Sequence, residues 1–523
     1  MLVATSAIRE AAKMLDDPQV FLPDLFAAHA RHDGGRTAIV CGEERLTWAE
    51  FDALQNRVAS ALLAMGLKKG DRVALMLGNA AITPAIIFGA VRAGACVVPL
   101  SGLLTGEQLG ELIADSDARF AIAAEPFAPL LADAIATAPL VERWFTIGFD
   151  AGLLRFETEM ERASADQPNV RYEMTDLFNI IYSSGTTGLP KGIVQTHRAR
   201  THWAFSNATE MSFASDSKAL TTTALYSNGT WLAMLPVLFA GGELHIMPAF
   251  GPTEFLETVE REAITHTFMV PPQFLMVLAE DALDRTDLSS LRSVLSAGSP
   301  LRRDTKQEVL DRMTPRLFEL YGYSEGFATM LKPHQHAAKF ATVGTPVIGF
   351  EMRILREDGT EAAPSEAGEI AGYGAGNMTC YHKREAETEA LIWRDERGRT
   401  FLRSGDIGLL DEDGFLTILD RKKDMIISGG FNVFPTDVEA VVGRHADVSD
   451  VTVIGVPDEK WGESCLALVV ASTRADPEAI RTWANERLAK PQRLKAVEFR
   501  EDFPRNALGK VLKRELRAPY WNG

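Results

Sequence analysis

"IIYSSGTTGLPKGIVQTH", residues 180–197, is an apolar run that stops at a chain of hydroxyls and glycines and then presents a lysine. The β-branched start reads as a strand and the middle as a loop. Gly185, Gly188 and Gly192 allow the backbone to turn its N–H groups inward. Ser183, Ser184, Thr186 and Thr187 add hydroxyl donors, and Lys191 adds charge. These are the parts of a phosphate grip. A Walker A loop is excluded, because Pro190 precedes Lys191 and Gly192 follows it where that loop needs Gly-Lys-Ser/Thr. On these residues alone a flexible surface loop remains the alternative.

Around this stretch the pattern is α/β. Strand-like runs at FNIIYS, ELHIM, HTFMV, RSVLSA and RLFELY alternate with helix-like segments between residues 178 and 325, which predicts a mostly parallel sheet. SSGTTGLPKG, SAGSPL and YGYSE fall where a strand is expected to hand over to a helix. Ligands of such sheets sit at the carboxyl ends of the strands, so the three segments should converge on one crevice. Upstream, LTWAEFDALQNRVASALLAMG predicts a helix, with a capping box at Thr47 and Glu50 and an apolar face of Phe51, Leu54, Val58, Leu62 and Met65. Downstream, EMRILREDGTEAAP and LLDEDGFLTIL place Asp-Gly between alternating runs, the pattern of β-hairpins in a small β-rich unit. After DRKKD (420–424), strands VTVIGVP and SCLALVVAS, a helix from Pro477 to about Leu488 and LKAVEFRED make a small α+β domain.

The 523 residues exceed one compact domain, and length alone predicts about three units. A formal charge of −17 argues against nucleic acid or an anionic membrane as the main partner, so any phosphate must be held by locally placed cations and N–H groups. The acidic N-terminus lacks the basic start and apolar core of a signal peptide, and no apolar window is long enough for an integral membrane segment. Cys41, Cys96, Cys380 and Cys465 are scattered, which fits a reducing, cytoplasmic setting and no zinc site.

SSGTTGLPKG resembles the signature loop of the adenylate-forming superfamily, which includes acyl-CoA synthetases, peptide-synthetase adenylation domains and firefly-type luciferases. Four further segments resemble that family's motifs in order: ELYGYSE (319–325), RSGDIG (403–408), DRKKDMIISGGFNVFP (420–435) and PRNALGKVLKREL (504–516). The resemblance implies a large N-terminal domain over 1–420, built of α/β subdomains with the small β-rich unit. It also implies a small mobile α+β lid domain over 421–523, hinged at about Lys423. It implies that Lys510 is catalytic, bridging carboxylate and α-phosphate, and that Glu325 is both catalytic and the Mg²⁺ ligand. By the same resemblance Asp406 takes the ribose hydroxyls with help from Arg421. Tyr321 packs on adenine, with Gly322, Ser324, Ala297, Gly298 and Ser299 around the base and Ser183–Gly188 and Lys191 around the phosphates. Gly429 and Gly430 face the pantetheine channel in a second pose of the lid.

Amino-acid-activating relatives carry an aspartate near the start of the pocket helix, and TTALYSNGTWLAMLP (222–236) has no acidic residue. Tyr226, Trp231, Met234, Val270 and Gly298 are the expected acyl-pocket lining, with plain helix core as the alternative for Trp231 and Met234. Such a pocket suits a fatty, alicyclic or aromatic monocarboxylic acid. The chain ends seven residues after the lysine motif, so the expected acceptor is a free thiol, coenzyme A. The expectation is therefore an AMP-forming carboxylic acid–CoA ligase using ATP, Mg²⁺ and CoA. Its rivals are an acyl-AMP ligase loading a separate carrier protein and a non-catalytic nucleotide-binding protein. Oligomeric state stays open, a homodimer among the options.

Overall fold

The computed structural model describes residues 19–183, 190–429, 431–471, 475–505 and 510–521. Two large sheets and a smaller β unit make up the large domain, and a fourth sheet forms the small C-terminal domain. The nine-stranded sheet has a parallel centre formed by Thr37–Cys41, Glu243–Ile246, Lys218–Thr221, His266–Met269, Ser293–Ser296 and Leu317–Gly322, with antiparallel strands at both edges. The eight-stranded sheet runs parallel from Leu177–Ser183 through Cys96–Pro99, Arg72–Met76, Ala118–Ala124 and Arg143–Ile147 to Leu154–Arg155.

Two sequence expectations are corrected here. FNIIYS does not join ELHIM, HTFMV, RSVLSA and RLFELY in one sheet; it lies in the eight-stranded sheet and the others lie in the nine-stranded one. Only SAGSPL passes from strand to helix. The strands that flank SSGTTGLPKG instead pair antiparallel, Ser183 opposite Lys191, and the helix begins at His197. YGYSE likewise leads into the antiparallel strand Ala328–Leu331. The run KGIVQT supplies alternating β-branched residues that favour a returning strand. Thr196 then caps the helix by accepting from the Ala199 N–H.

The predicted helix forms over Trp48–Ala64 with its full capping box, and Phe51, Val58 and Leu62 are buried in the large core. The Asp413-Gly414 turn closes a hairpin, Leu410 opposite Leu416, with Gly414 at a φ of 80°. Around Asp358-Gly359 the ladder is reduced to the isolated bridge Leu355–Glu361, and Phe350–Leu355 pairs instead with Gly368–Gly374. In the small domain Val448–Asp458 pairs antiparallel with Gly462–Ala471, and Leu494–Phe499 joins in parallel. Helices Pro435–Val442 and Pro477–Asn485 bury Val438, Val442, Ile480 and Ala484 in that domain's core. Among the described residues no helix is long and apolar enough to cross a membrane.

Candidate functional site

Strands Ser293–Ser296 and Leu317–Gly322 are parallel neighbours, with Ser296 opposite Glu319. Their carboxyl ends therefore set Ala297, Gly298 and Ser299 beside Tyr321, Gly322 and Ser324. Gly298 has a φ of 95°, a left-handed conformation that a side chain would strain. The chain then crosses to the other sheet: the Gln195 side-chain amide donates to the Ser324 carbonyl at 3.2 Å. Thus the base of the 180–197 stretch and the YGYSE segment are held together, although their strands belong to different sheets.

Tyr321 donates its hydroxyl to Asp406 Oδ2 at 2.8 Å. Asp406 is buried, at 7% exposure, in strand Thr400–Leu410, and Ser404 Oγ accepts from its N–H at 3.0 Å. Antiparallel register puts Arg421 opposite it, and Arg421 Nε lies 3.4 Å from Asp406 Oδ1. Burial, reinforced by the Asp406 charge, pushes the Tyr321 phenol well above its ordinary range. Tyr321 is therefore a hydrogen-bond donor at every relevant pH, and Asp406 keeps lone pairs for diol hydroxyls.

Lys510 reaches this same spot from far along the chain. Burial lowers its ammonium to about 8, and repulsion from Arg421 and Lys423 adds to that, while Asp406 and Asp424 oppose it. Lys423 is depressed by the same burial and by Arg421. The 421–425 turn is tight, with Asp424 and Met425 N–H groups both donating to the Arg421 carbonyl. The Lys423 carbonyl accepts from Arg517 of the last helix, Lys513–Trp521, at 3.0 Å. Asp406, Arg421, Lys423 and Lys510 are thus gathered into one electrostatic neighbourhood, with cations in excess. Such a place attracts a polyanion.

A second group gathers around Tyr381, which sequence reasoning missed. Its hydroxyl donates to Glu325 Oε1, and Lys191 Nζ sits 4.8 Å above its ring while pairing with Glu387. Tyr381 and Glu387 lie in CYHKREAETEA (380–390), which reads as a charged linker; the one usable signal was the lone aromatic within it. The pairing Tyr381–Ile193 at the edge of the eight-stranded sheet brings that linker to the phosphate-type loop. Glu325 fits a hard divalent cation because its carboxylate is a hard oxygen donor, and its partner Tyr381 lies under the lysine that flanks this loop. Among the described residues no cluster of three or more His, Cys, Asp or Glu could hold a metal by itself. Ser184, Gly185, Thr186, Thr187, Gly188 and Gly430 lie outside the described residues.

Gly429 has a φ of 59°, its N–H donates to the Trp461 carbonyl at 2.7 Å, and an added Cβ would come within 2.5 Å of the Trp461 ring. Only glycine suits that position. Val270 directly follows strand His266–Met269, the neighbour of Ser293–Ser296, and so lies at the same rim as Gly298, while Tyr226 lies in the turn that follows strand Lys218–Thr221, the next in the sheet. Trp231 and Met234 are brought elsewhere, at 1% and 0% exposure in the large core. Trp231 Nε1 donates to the Leu225 carbonyl at 2.8 Å, and the Arg200 guanidinium stacks 4.5 Å over its ring. Of the two readings given for this pair, helix core describes them as they stand. His197 is also buried, and burial holds its imidazole down at about 4, neutral under ordinary conditions.

The sequence pattern described as "AMP-binding enzyme" matches residues 26–382, and that described as "AMP-binding enzyme C-terminal domain" matches 437–510. A feruloyl-CoA synthase from Amycolatopsis sp is 34% identical over 494 residues, covering 93% of this chain and 96% of the relative. A fatty acid–acyl-carrier-protein ligase from Streptomyces coeruleorubidus is 29% identical over 513 residues, covering 94% and 95%. ATP-bound MatB from Rhodopseudomonas palustris superposes with a TM-score of 0.87 at 28% identity, covering 96% of this chain and 99% of that one.

Proposed function

The chain belongs to the AMP-binding enzyme family, the adenylate-forming enzymes, and from that premise we infer that it is an AMP-forming carboxylic acid–CoA ligase. The substrates are ATP, a small carboxylic acid and CoA. In the first step a carboxylate oxygen attacks the α-phosphorus of ATP, the bond from that phosphorus to the pyrophosphate oxygen breaks, and acyl-AMP and pyrophosphate result. In the second, the CoA sulfur attacks the acyl carbon, its proton is lost, and AMP leaves.

The first step brings an anion up to a polyanion, so it needs cations already in place. The observation that carries the reading is Lys510 buried against Arg421 and Asp406, a lysine from the small domain placed where a large-domain tyrosine and aspartate meet. Lys510 bridges the carboxylate and the α-phosphate; Asp406 and Arg421 hold the ribose; Tyr321, Gly322, Ser324 and Ala297–Ser299 frame the base. Lys191 and the 183–188 loop receive the phosphates once nucleotide displaces Glu387 from the lysine. Glu325 would hold Mg²⁺ jointly with the nucleotide, and the metal would neutralise phosphate charge.

One crevice cannot hold pyrophosphate and admit a thiol together. A small domain beginning at about residue 421 and hinged at Lys423 resolves the conflict by withdrawing Lys510 and presenting Gly429 and Gly430 to the pantetheine arm. The acid is an apolar monocarboxylic one, fatty, alicyclic or aromatic, lying along the rim of Tyr226, Val270 and Gly298, none of which is charged. The relative named for feruloyl-CoA synthesis favours the aromatic end of that range. Four free cysteines among the described residues suit a cytoplasmic setting.

Pyrophosphate release across a panel of fatty, aromatic and alicyclic acids, with and without CoA, tests the reading. Acid- and CoA-dependent turnover, with acyl-CoA identified by mass, is expected. Acyl-AMP formed without transfer to CoA would move the acceptor to a carrier protein, as in the relative named for that reaction. Silence across the panel would overturn the ligase.

A further inference from the structure

The two domains are joined by a carboxylate shared between two arginines. Asp450, in strand Val448–Asp458 of the small domain, pairs through Oδ1 with Arg302 of the large domain and through Oδ2 with Arg505 at 2.5 Å. Arg302 directly precedes helix Arg303–Glu308, three residues beyond Ser299 in the loop that follows strand Ser293–Ser296. Arg505 forms an isolated antiparallel bridge with Val511, the neighbour of Lys510. A chain of contacts therefore runs from the loop beside the base-binding residues, through Asp450, to the foot of the segment that carries the catalytic lysine.

We propose that Arg302 and Asp450 are positioning residues that hold the small domain in its adenylating pose, and thereby set how the enzyme divides its time between its two half-reactions. The proposal rests on the two-step ligase reading. Arg505 and Asp450 belong to one domain, so their pair survives any rigid rotation of it and favours neither pose. Arg302 and Asp450 belong to different domains, so their pair exists only while the small domain lies against the 297–302 loop. A contact made in one state alone shifts an equilibrium between states, whereas one made in both shifts nothing.

The side chains are partly exposed, at 50% for Arg302 and 27% for Asp450, so the pair contributes little to folding. It need not contribute much. An exposed pair of ordinary strength changes the ratio of two nearly balanced poses by about fivefold. Asp450 is also prepared for the contact: Arg505 holds Oδ2, and the Val451 N–H donates to Oδ1 at 2.9 Å. The carboxylate is thus oriented before Arg302 arrives, and less side-chain entropy is lost on docking.

The test separates the half-reactions in the full chain. ATP–pyrophosphate exchange reports adenylation, and thioester formation from supplied acyl-AMP reports the second step. Arg302→Gln should lower exchange about fivefold and leave thioester formation equal or faster. Arg302→Glu, which sets like charges against each other, should lower exchange further, and Arg302→Lys should restore most of it. Asp450→Asn should act in the same direction as Arg302→Gln. A substrate-independent readout comes from spin labels at Glu257 and Glu486, exposed positions in the two domains, in a Cys41→Ser, Cys380→Ser background. Their distance distribution should broaden in Arg302→Gln. Equal loss of both half-reactions would mean general damage and overturn the proposal, as would unchanged exchange with an unchanged distance distribution. If the parent enzyme shows no acid-dependent exchange, the ligase reading itself fails, and the label distances alone decide whether the pair holds the pose.

Discussion

Lys510 and Lys513 lie three residues apart, both largely withdrawn from water, and their ammonium groups are pushed in opposite directions. Burial is the largest influence on each and lowers both. For Lys513 it is outweighed by Glu439, whose Oε1 sits 2.7 Å from Nζ, and by Asp420, so its ammonium is raised. Lys510 faces Arg421 and Lys423 as well as Asp406 and Asp424, and it stays lowered at about 8. Glu439 also accepts from the Val453 N–H at 2.7 Å, which fixes the carboxylate that Lys513 needs. A buried cation with a matched anion is part of the framework. One lowered by burial beside other cations, where two domains meet, has the setting of a functional group.

Three experiments can break or sharpen that contrast. The largest effect belongs to Lys510→Ala, which should cut adenylation by about 10²–10³, comparable to losing a donor at a developing charge. Thioester formation from supplied acyl-AMP should be spared, and equal damage to both steps would remove Lys510 from the first. Lys513→Met should act on stability instead, costing the small domain about 3 kcal/mol by leaving Glu439 and Asp420 without their cation. Denaturant unfolding measures this. A Lys513→Met protein with full stability and hundredfold weaker adenylation would show that the two roles had been exchanged.

The smallest effect is in the pH profile. A lysine lowered to about 8 is charged below that pH and loses its charge above it, so kcat/KM for ATP–pyrophosphate exchange should fall about tenfold per pH unit on the alkaline side of 8. Lys510→Arg should shift that limb out of range, because a guanidinium stays charged. A limb that persists unchanged in Lys510→Arg would assign it to another group.

Local structure was the most legible part of the sequence. The capping box at Thr47 and Glu50, the Asp413-Gly414 hairpin and the small-domain strands formed where residue chemistry put them, because each is decided by neighbours a few positions away. Sheet membership was not legible. FNIIYS has the same composition whether it pairs with Cys96–Pro99 or with Lys218–Thr221, and the choice depends on a contact between distant positions, Val97 opposite Asn179. The motifs named Asp406, Arg421 and Lys510 but gave no reason for them to meet; an antiparallel register and an inter-domain contact supply that. Tyr381 was invisible because its importance comes from an edge-strand pairing with Ile193. Trp231 showed the converse: an aromatic in a suggestive segment that the fold spends on its core.

Trp461 carries a consequence of another kind. Its indole lies against Gly429, with the Lys460 and Lys490 ammonium groups 5.0 and 5.8 Å from the ring centre. All four residues lie on the small-domain side of Lys423, so they travel as one body when that domain turns, and the indole acts as a wedge that carries the Gly429 backbone with it.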